Sequence, residues 1–241
     1  MMDRKDKMMI TAIFDIGKTN KKFFLFDENF EPVKSINETF PEIADDDGFP
    51  CEDIQQVIRW MKQVLGNVIH EGIYEVKRLN VSAHGASWMH LDEHGQAVAP
   101  LYNYLKDYPS DLMEQFYQQT GGKDVFERET ASPSLGMLNS GLQLYWLKHR
   151  KPEVFAKIKY SLHLPQYYSW LFSGQLYSEY TSIGCHTGLW DFARQDYHSW
   201  VKHQNLTGLF PPICPTDTRF SGAFAGQDMI IGPGFTTVRL L

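Results

Sequence analysis

The sequence predicts an α/β domain in which a mixed sheet with flanking helices is followed by a helix-rich insertion. Over about the first hundred residues, short apolar runs alternate with polar turns, and one long amphipathic segment stands among them. From about Pro109 onward, apolar residues recur at helical spacing instead. Strands combined with helices in this order are typical of the α/β class.

The predicted strands come first along the chain. Residues 10–15 and 23–26 are apolar runs joined by the polar turn GKTNKK, which indicates a β-hairpin, and a third strand is expected at about residues 32–40. Apolar positions between residues 54 and 69 follow helical spacing, and Gly72 marks the helix end.

Two further strands, at residues 77–82 and 88–91, flank a turn of small residues. The expected helices of the insertion lie near residues 112–117, 138–149, 167–172 and 200.

Composition limits the classes of partner. The 241 residues are 43% hydrophobic and 14% aromatic, which is enough for a packed core. The net charge of −6 argues against nucleic acid as the main partner, and no stretch predicts a membrane span. Three scattered cysteines predict a reduced, cytoplasmic protein without disulfides or a zinc cluster. Residues 1–9 are expected to form a flexible leader.

The turn after the first strand is the first candidate site. Asp15 ends an apolar strand, Gly17 permits a tight turn, and Thr19, Asn20 and Lys22 supply hydrogen-bond donors and a cation. A carboxylate beside such a turn suits Mg²⁺ and a polyphosphate. The run Gly17-Lys18-Thr19 imitates a P-loop, but a strand follows it where a P-loop needs a helix. An ordinary surface hairpin is the alternative.

A second candidate is the small-residue turn that carries His84. Small neighbours let a ligand approach the backbone closely, and the imidazole offers a polar tip; a tight strand connection is the alternative. A third polar cluster surrounds Cys185 and His186. Adjacent residues seldom form a nucleophile and its base, so this cluster predicts a polar pocket wall.

Together these segments resemble the FGGY family of carbohydrate kinases, whose fold is the ribonuclease-H-like, actin-like ATPase domain. Asp15, Gly17, Thr19 and Lys22 match the family's phosphate motif D-x-G-x-S/T-x-x-K/R. The loop SAHGASWMHLDEHG is similar to that of the rhamnulokinase and fuculokinase branch. Later, LPQYYSWLFSG and SEYTSIGCHTGLWD match two further family motifs in order.

The resemblance implies an ATP-dependent kinase that phosphorylates a hydroxyl of a ketose-type sugar, with ATP and Mg²⁺ as cofactors. The implied phosphate and magnesium residues are Asp15, which contacts the metal indirectly, Gly17, Lys18, Thr19, Asn20 and Lys22. The implied sugar residues are His84, Gly85, Ala86, Trp88, Asn103, Tyr104, Asp107 and His186. Two departures stand out. Gln166 replaces an aspartate of the family's helix motif, and the sugar-binding acid is absent or moved to Asp107.

The resemblance also assigns residues 10–234 to the family's N-terminal, sugar-binding domain. The catalytic aspartate and adenine pocket of the family belong to a second lobe, so this chain alone is expected to be inactive. The tail at residues 235–241, FTTVRLL, can be encoded by DNA whose neighbouring frame encodes the family run LHDSSAAL, which suggests a frameshift. A non-catalytic sugar-binding or regulatory domain is the alternative, and a surface left uncovered would favour self-association.

Overall fold

The computed structural model describes residues 7–237. Residues 1–6 of the predicted leader and residues 238–241 of the predicted tail lie outside the described residues. Within them, the predicted α/β class is confirmed: a central mixed sheet is packed against helices, and a helix-rich segment is inserted between the sheet strands at residues 74–84 and 220–224.

The secondary structure follows the predicted order with several additions. The strands are β1 (Met8–Ile16), β2 (Lys21–Phe26), β3 (Pro32–Glu38), β4 (Glu42–Ala44), β5 (Pro50–Glu52), β6 (Tyr74–His84), β7 (Trp88–Leu91), β8 (Tyr160–His163), β9 (Ser178–Glu179), β10 (Trp190–Asp191), β11 (Asp196–Tyr197), β12 (Ile213–Cys214), β13 (Phe220–Phe224), β14 (Gln227–Ile231) and β15 (Phe235–Thr237). The helices are α1 (Ile54–His70), α2 (Ser110–Gln119), α3 (Lys123–Thr130), α4 (Ser140–Arg150), α5 (Pro152–Phe155), α6 (Leu164–Ser173), α7 (Tyr180–Ile183) and α8 (Ser199–His203).

The central sheet runs in the order β13-β14-β6-β1-β2-β3, and β15 pairs with β6 beyond β14. Pairing is antiparallel between β1 and β2, between β2 and β3, and between β13 and β14. β1, β14 and β15 all lie parallel to β6. The carboxyl ends of β1, β6 and β15 therefore meet at one edge of the sheet.

The main core lies between the sheet and two helices, α1 and α6. Alternate residues of β1 are buried, and at its centre Phe14 contacts Phe23 of β2 at 4.7 Å between ring centroids. The same ring contacts Trp60 of α1 at 5.8 Å and Phe172 of α6 at 6.2 Å. Asp53 accepts a hydrogen bond from Gln56 N and caps α1, as its position before the apolar run suggests.

A second core holds the insertion together. Phe116 of α2 makes edge-to-face contacts with Phe126 of α3, Tyr145 of α4 and Trp200 of α8, each at 5.0–5.1 Å. Sequence periodicity predicts α2, α4, α6 and α8, whereas α3 is too polar to show it. No helix among residues 7–237 is long and apolar enough to cross a membrane.

The structure corrects one predicted boundary and adds two features that the sequence analysis does not contain. β1 begins at Met8, so residues 8 and 9 belong to the sheet and not to a leader. β7 does not pair with β6 across the small-residue turn; it pairs with β8, which the sequence places 69 residues later. The first three residues of the predicted tail form β15 on β6. The frameshift origin of that tail stays a prediction.

Candidate functional site

The candidate site lies at the sheet edge where β1, β6 and β15 end. In the pairing register, Asp15 of β1 lies opposite Ser82 of β6, and Thr237 of β15 lies opposite His84. Because parallel strands end at the same edge, the predicted phosphate turn and the predicted sugar loop become neighbours. The sequence places them about 70 residues apart.

The phosphate turn is a tight connection between β1 and β2. Gly17 N donates to Asn20 O at 3.0 Å, and a Cβ at Gly17 would lie 3.0 Å from the same oxygen. Lys22 Nζ lies 3.9 Å from Asp15 Oδ2, and both side chains are partly exposed. Thr19 and Asn20 are exposed at the tip of the turn. The turn thus presents a carboxylate, a cation and two polar side chains to solvent.

Beneath the turn lies a buried ion-pair group of Lys21, Glu52 and His84. Lys21 Nζ lies 2.6 Å from Glu52 Oε2, and His84 Nε2 lies 2.7 Å from Glu52 Oε1. Lys21 Nζ also donates to Lys18 O at 2.6 Å. Lys21 is 2% exposed and Glu52 is 8% exposed, so their charges are shielded from water. Burial opposes the ionisation of Glu52, but its hydrogen bond and electrostatic interaction with His84, followed by those with Lys21, outweigh burial and lower the pKa of this carboxyl.

Tyr104 and Lys18 cover this group from the solvent side. The Tyr104 ring contacts the His84 ring edge-to-face at 5.9 Å, and Lys18 Nζ lies 5.7 Å from the centre of the Tyr104 ring. Lys18 also donates to Glu42 Oε1 at 2.7 Å. Lys18 therefore connects the phosphate turn, to which it belongs, with β4 and with the segment that carries Tyr104.

Asn103 holds the Tyr104 segment in place. Its Nδ2 donates to Pro50 O at 2.9 Å, and its Oδ1 accepts from Leu105 N at 3.0 Å. Asn103 and Tyr104 line a small cavity together with Lys18, Glu52, His84, Ser87, Leu101 and Tyr102. Asp107 is exposed and does not line this cavity.

The loop that follows α7 packs against Gly85, and its residues Cys185 and His186 do not line this cavity. A Cβ at Gly85 would lie 3.0 Å from Thr236 Cγ2 and 3.5 Å from Cys185 Sγ, so a larger residue would displace the Thr236 side chain. Cys185 Sγ lies 3.4 Å from His186 Nδ1. Burial raises the pKa of the Cys185 thiol and lowers the pKa of His186, so the pair stays neutral.

Trp88 and Ala86 lie further inside. Trp88 is 2% exposed, its indole NH donates to Ser140 O at 2.7 Å, and its ring stacks on His163 at 3.7 Å. Ala86 O accepts from Gln143 Nε2 at 2.7 Å. In this structure both residues anchor the sugar loop to α4, and neither lines the cavity beside His84.

The sequence analysis missed Lys21 and Glu52 as site residues. A signal for Lys21 exists, because it shares the inward face of β2 with Phe23 and Leu25 and a lysine in that position needs a buried partner. Glu52 stands beside the cap of α1, and nothing in its local pattern indicates that His84 is its partner.

Comparison with known families decides the identity. Residues 9–216 match the family described as the FGGY family of carbohydrate kinases, N-terminal domain. The chain belongs to the FGGY family of carbohydrate kinases. This match covers most of the chain, and it confirms the family that the four sequence motifs indicate.

Solved structures of carbohydrate, xylulose and glycerol kinases share the fold. The chain is similar to a carbohydrate kinase from Novosphingobium aromaticivorans, with 26% identity and a TM-score of 0.85 over 96% of this chain and 49% of that one. It is similar to a ligand-bound xylulose kinase from Lactobacillus acidophilus, with 18% identity and a TM-score of 0.82 over 95% and 48% of the two chains. It is also similar to a glycerol kinase from Plasmodium falciparum with ADP, with 15% identity and a TM-score of 0.79 over 95% of this chain and 49% of that one.

These likenesses establish the actin-like ATPase fold of FGGY kinases for this chain. The chain spans about half the length of the solved structures it matches. The rhamnulokinase and fuculokinase branch stays a prediction, because these neighbours bear other names.

Proposed function

We propose that this chain is the sugar-binding half of an ATP-dependent kinase that transfers the γ-phosphate to a hydroxyl of a ketose-type sugar. One observation carries the proposal. The Asp15 turn, which suits a polyphosphate and Mg²⁺, and the His84 loop, which suits a sugar, follow paired strands and lie at the same edge of the sheet. Phosphoryl transfer needs little covalent help from the protein and depends on positioning and charge neutralisation, which such an edge can supply.

The residues of the turn fit a magnesium–nucleotide polyphosphate. Asp15 offers a partly exposed carboxylate for the hydrated metal, and Lys22 offers a cation beside it. Gly17 keeps the turn tight, while Lys18, Thr19 and Asn20 supply further donors to phosphate oxygens. When bound, Mg²⁺ would neutralise phosphate charge; Lys22 would stabilise the same charge from the protein side.

The sugar would lie against His84, Gly85, Asn103 and Tyr104. Tyr104 offers an aromatic face and His84 a ring nitrogen, a pairing that suits the apolar face and the hydroxyls of a sugar. His186 would close the pocket from the side of Gly85, and Asp107 would have to turn inward to reach the sugar. Rhamnulose and fuculose are the first substrates to test, on the strength of the loop sequence.

Full turnover belongs, in this proposal, to a protein with a second lobe that supplies the general base. Loss of a general base typically costs on the order of 10²–10⁴ in rate. The out-of-frame origin of residues 235–241 is part of the same proposal, and reading the gene in the neighbouring frame would test it. The proposed function also includes a cytoplasmic location, where ATP and reduced thiols occur together.

The proposal is tested by sugar binding to this chain, measured by saturation-transfer NMR and calorimetry. The panel is L-rhamnulose, L-fuculose, D-xylulose, D-gluconate and glycerol. We expect at least one sugar to bind, and His84→Asn to weaken it by about tenfold or more, the usual effect of losing a well-placed hydrogen bond. His94→Asn, at an exposed turn, is the matched control.

A coupled ADP-release assay accompanies it, and we expect no turnover above background from this chain alone. Failure of every sugar to bind, or equal binding by the His84→Asn variant, would contradict the proposed function. Robust turnover would contradict the need for a second lobe.

A further inference from the structure

Lys18 lies between the two halves of the site. It belongs to the turn that follows Asp15, and its side chain lines the cavity beside His84. Its Nζ donates to Glu42 Oε1 at 2.7 Å and lies 5.7 Å from the centre of the Tyr104 ring, a distance that allows a cation–π contact. One ammonium group is therefore shared between the phosphate turn and the segment that carries Tyr104.

The cavity behind Lys18 is closed. Its volume is about 10 Å³, which leaves room for roughly one water molecule. A sugar is many times larger, so it reaches His84 only when the cover formed by Lys18 and Tyr104 moves. The opposite side of the cavity cannot give way as easily, because Glu52 holds Lys21 and His84 in place from the interior.

We propose that Lys18 is a latch that couples the two halves of the site. Paired with Glu42, it closes the cavity over His84; a polyphosphate on the Asp15 turn takes its ammonium group and thereby opens the cavity to a neutral sugar. The proposal rests on the proposed function for the identities of the two ligands.

The backbone of the turn is fixed, whereas the Lys18 side chain can move. Lys18 O accepts a hydrogen bond from buried Lys21 Nζ at 2.6 Å, and Gly17 N donates to Asn20 O at 3.0 Å. A lysine carries its charge on a long flexible stem. The ammonium group can therefore turn from Glu42 toward a ligand on the turn without a change in the backbone.

The contact with Glu42 is strong enough to place Lys18 but too weak to hold it against a polyphosphate. The side chains of Lys18 and Glu42 are 21% and 43% exposed, and ion pairs this open to water are weak. Hydrogen bonds from an ammonium group to phosphate oxygens are of the strong, charge-assisted kind. Glu42 itself stays in place, because it pairs with Glu52 in the register of the β4–β5 hairpin.

This coupling has a thermodynamic consequence. If a polyphosphate raises the affinity for a sugar, the sugar raises the affinity for the polyphosphate by the same factor. A neutral sugar carries no charge that would be attracted to phosphate directly. An increase in its affinity therefore reports the movement of Lys18.

The test is calorimetry of the whole chain with inorganic triphosphate and Mg²⁺ and with the neutral compounds L-rhamnulose, L-fuculose, D-xylulose and glycerol. In the wild type, saturating triphosphate should raise the affinity for the compound that binds by about fivefold or more, which is a typical size for coupled sites. Reciprocal titrations, with triphosphate added to the sugar-saturated protein, should give the same factor.

The variants separate the latch from a general effect of charge. Glu42→Gln should raise the sugar affinity without triphosphate and reduce the coupling, because a neutral amide holds Lys18 less firmly. Lys18→Ala should also raise this affinity, since the cavity then lacks part of its cover. Glu31→Gln removes the same charge as Glu42→Gln at an exposed position in the β2–β3 turn and should leave the sugar affinity and the coupling unchanged.

A second measurement follows the cover without any sugar. With 3-fluorotyrosine in the chain and Tyr104→Phe to assign its resonance, the ¹⁹F signal of Tyr104 should shift when triphosphate and Mg²⁺ are added. In Glu42→Gln the signal should already lie nearer to its triphosphate-bound position before the addition. In Glu31→Gln it should keep the wild-type position.

Equal sugar affinities with and without triphosphate in the wild type would overturn the latch, while sugar binding itself would still support the proposed function. An unchanged sugar affinity in Glu42→Gln, an equal change in Glu31→Gln, or no binding of triphosphate would overturn the latch as well. If triphosphate shifts the Tyr104 signal but no sugar binds, the proposed function fails, and the movement of Lys18 is then judged on the NMR spectra alone.

Discussion

Two buried histidines behind the site, His90 and His163, are expected to make the free energy of unfolding depend strongly on pH. His90 Nδ1 lies 2.9 Å from Ser161 Oγ, and His163 Nε2 lies 3.2 Å from Ser140 Oγ. Burial lowers the pKa of each imidazole to about 3, and for His163 the neighbouring His90 adds to the effect. Both rings are therefore neutral in the native protein throughout the physiological range.

Acid should unfold this protein through these rings. Below the ordinary histidine pKa of about 6.5, the unfolded chain binds protons that the native chain does not. The free energy of unfolding should therefore fall as the pH drops from about 6.5 toward 3, by up to about 1.4 kcal/mol per pH unit for each ring. Urea titrations between pH 7 and pH 5 measure this slope above the range where Glu52 and the other carboxyls with lowered pKa values titrate.

The matched variants are His90→Gln and His94→Gln. The first should reduce the slope, because one of the two rings with the most strongly lowered pKa no longer titrates, whereas His163, His149 and His186 still contribute. The second replaces an exposed ring and should leave the slope unchanged. Equal slopes in the wild type and His90→Gln would mean that buried His90 does not control the acid response.

At the scale of elements, α6 is tied to the connection between β14 and β15. Gln166 Nε2 donates to Gly234 O at 2.9 Å and to Pro233 O at 3.3 Å, and Ser169 Oγ donates to Gly232 O at 2.6 Å. A Cβ at Gly234 would lie 2.4 Å from Pro165 O, so the two segments pack backbone against backbone. The amide at position 166 is the donor that this arrangement needs, which accounts for the departure from the family's aspartate.

Gln166→Glu should destabilise the protein by on the order of 2–4 kcal/mol at pH 7, because it removes a donor and buries a carboxylate against carbonyl oxygens. Urea unfolding at pH 7 measures the loss. Gln175→Glu makes the same chemical change at an exposed position just after α6 and should cost little. A similar small effect for both variants would show that the contact between α6 and the strand connection contributes little stability.

For the whole molecule, the two faces of the central sheet differ. The face formed by Phe14, Phe23 and their neighbours is buried under α1 and α6. On the opposite face, Ile13, Phe24 and Phe26 are only half-buried. Apolar side chains grouped on one partly open face favour association with another surface.

We expect this chain to self-associate through that face, with a molar mass by light scattering that rises above one chain as concentration increases. Phe26→Lys should shift the equilibrium toward monomer because it places a charge in the contact. Phe30→Lys, at a turn residue that is 78% exposed, is the matched control. A monomer at every concentration, or an equal effect of both variants, would rule out this face as the contact.

The sequence by itself determined the local structure and the chemistry on offer. Short apolar runs around a polar turn indicated β1 and β2, helical spacing indicated α1 and α6, and the Asp15 motif with the His84 loop indicated the family before any coordinates. These signals are readable because they depend on neighbours a few positions apart in the chain.

Only the tertiary structure decided which of these groups work together. It brings Lys21, Glu52 and His84 from three strands into contact. It places carbonyl oxygens beside Gln166, and it buries Trp88 against α4 and His163. It also left Asp107 exposed, away from the cavity lining. The physical reason is that the partner of a buried polar group is set by strand order and register, which join residues far apart in sequence, and no local pattern records that distance.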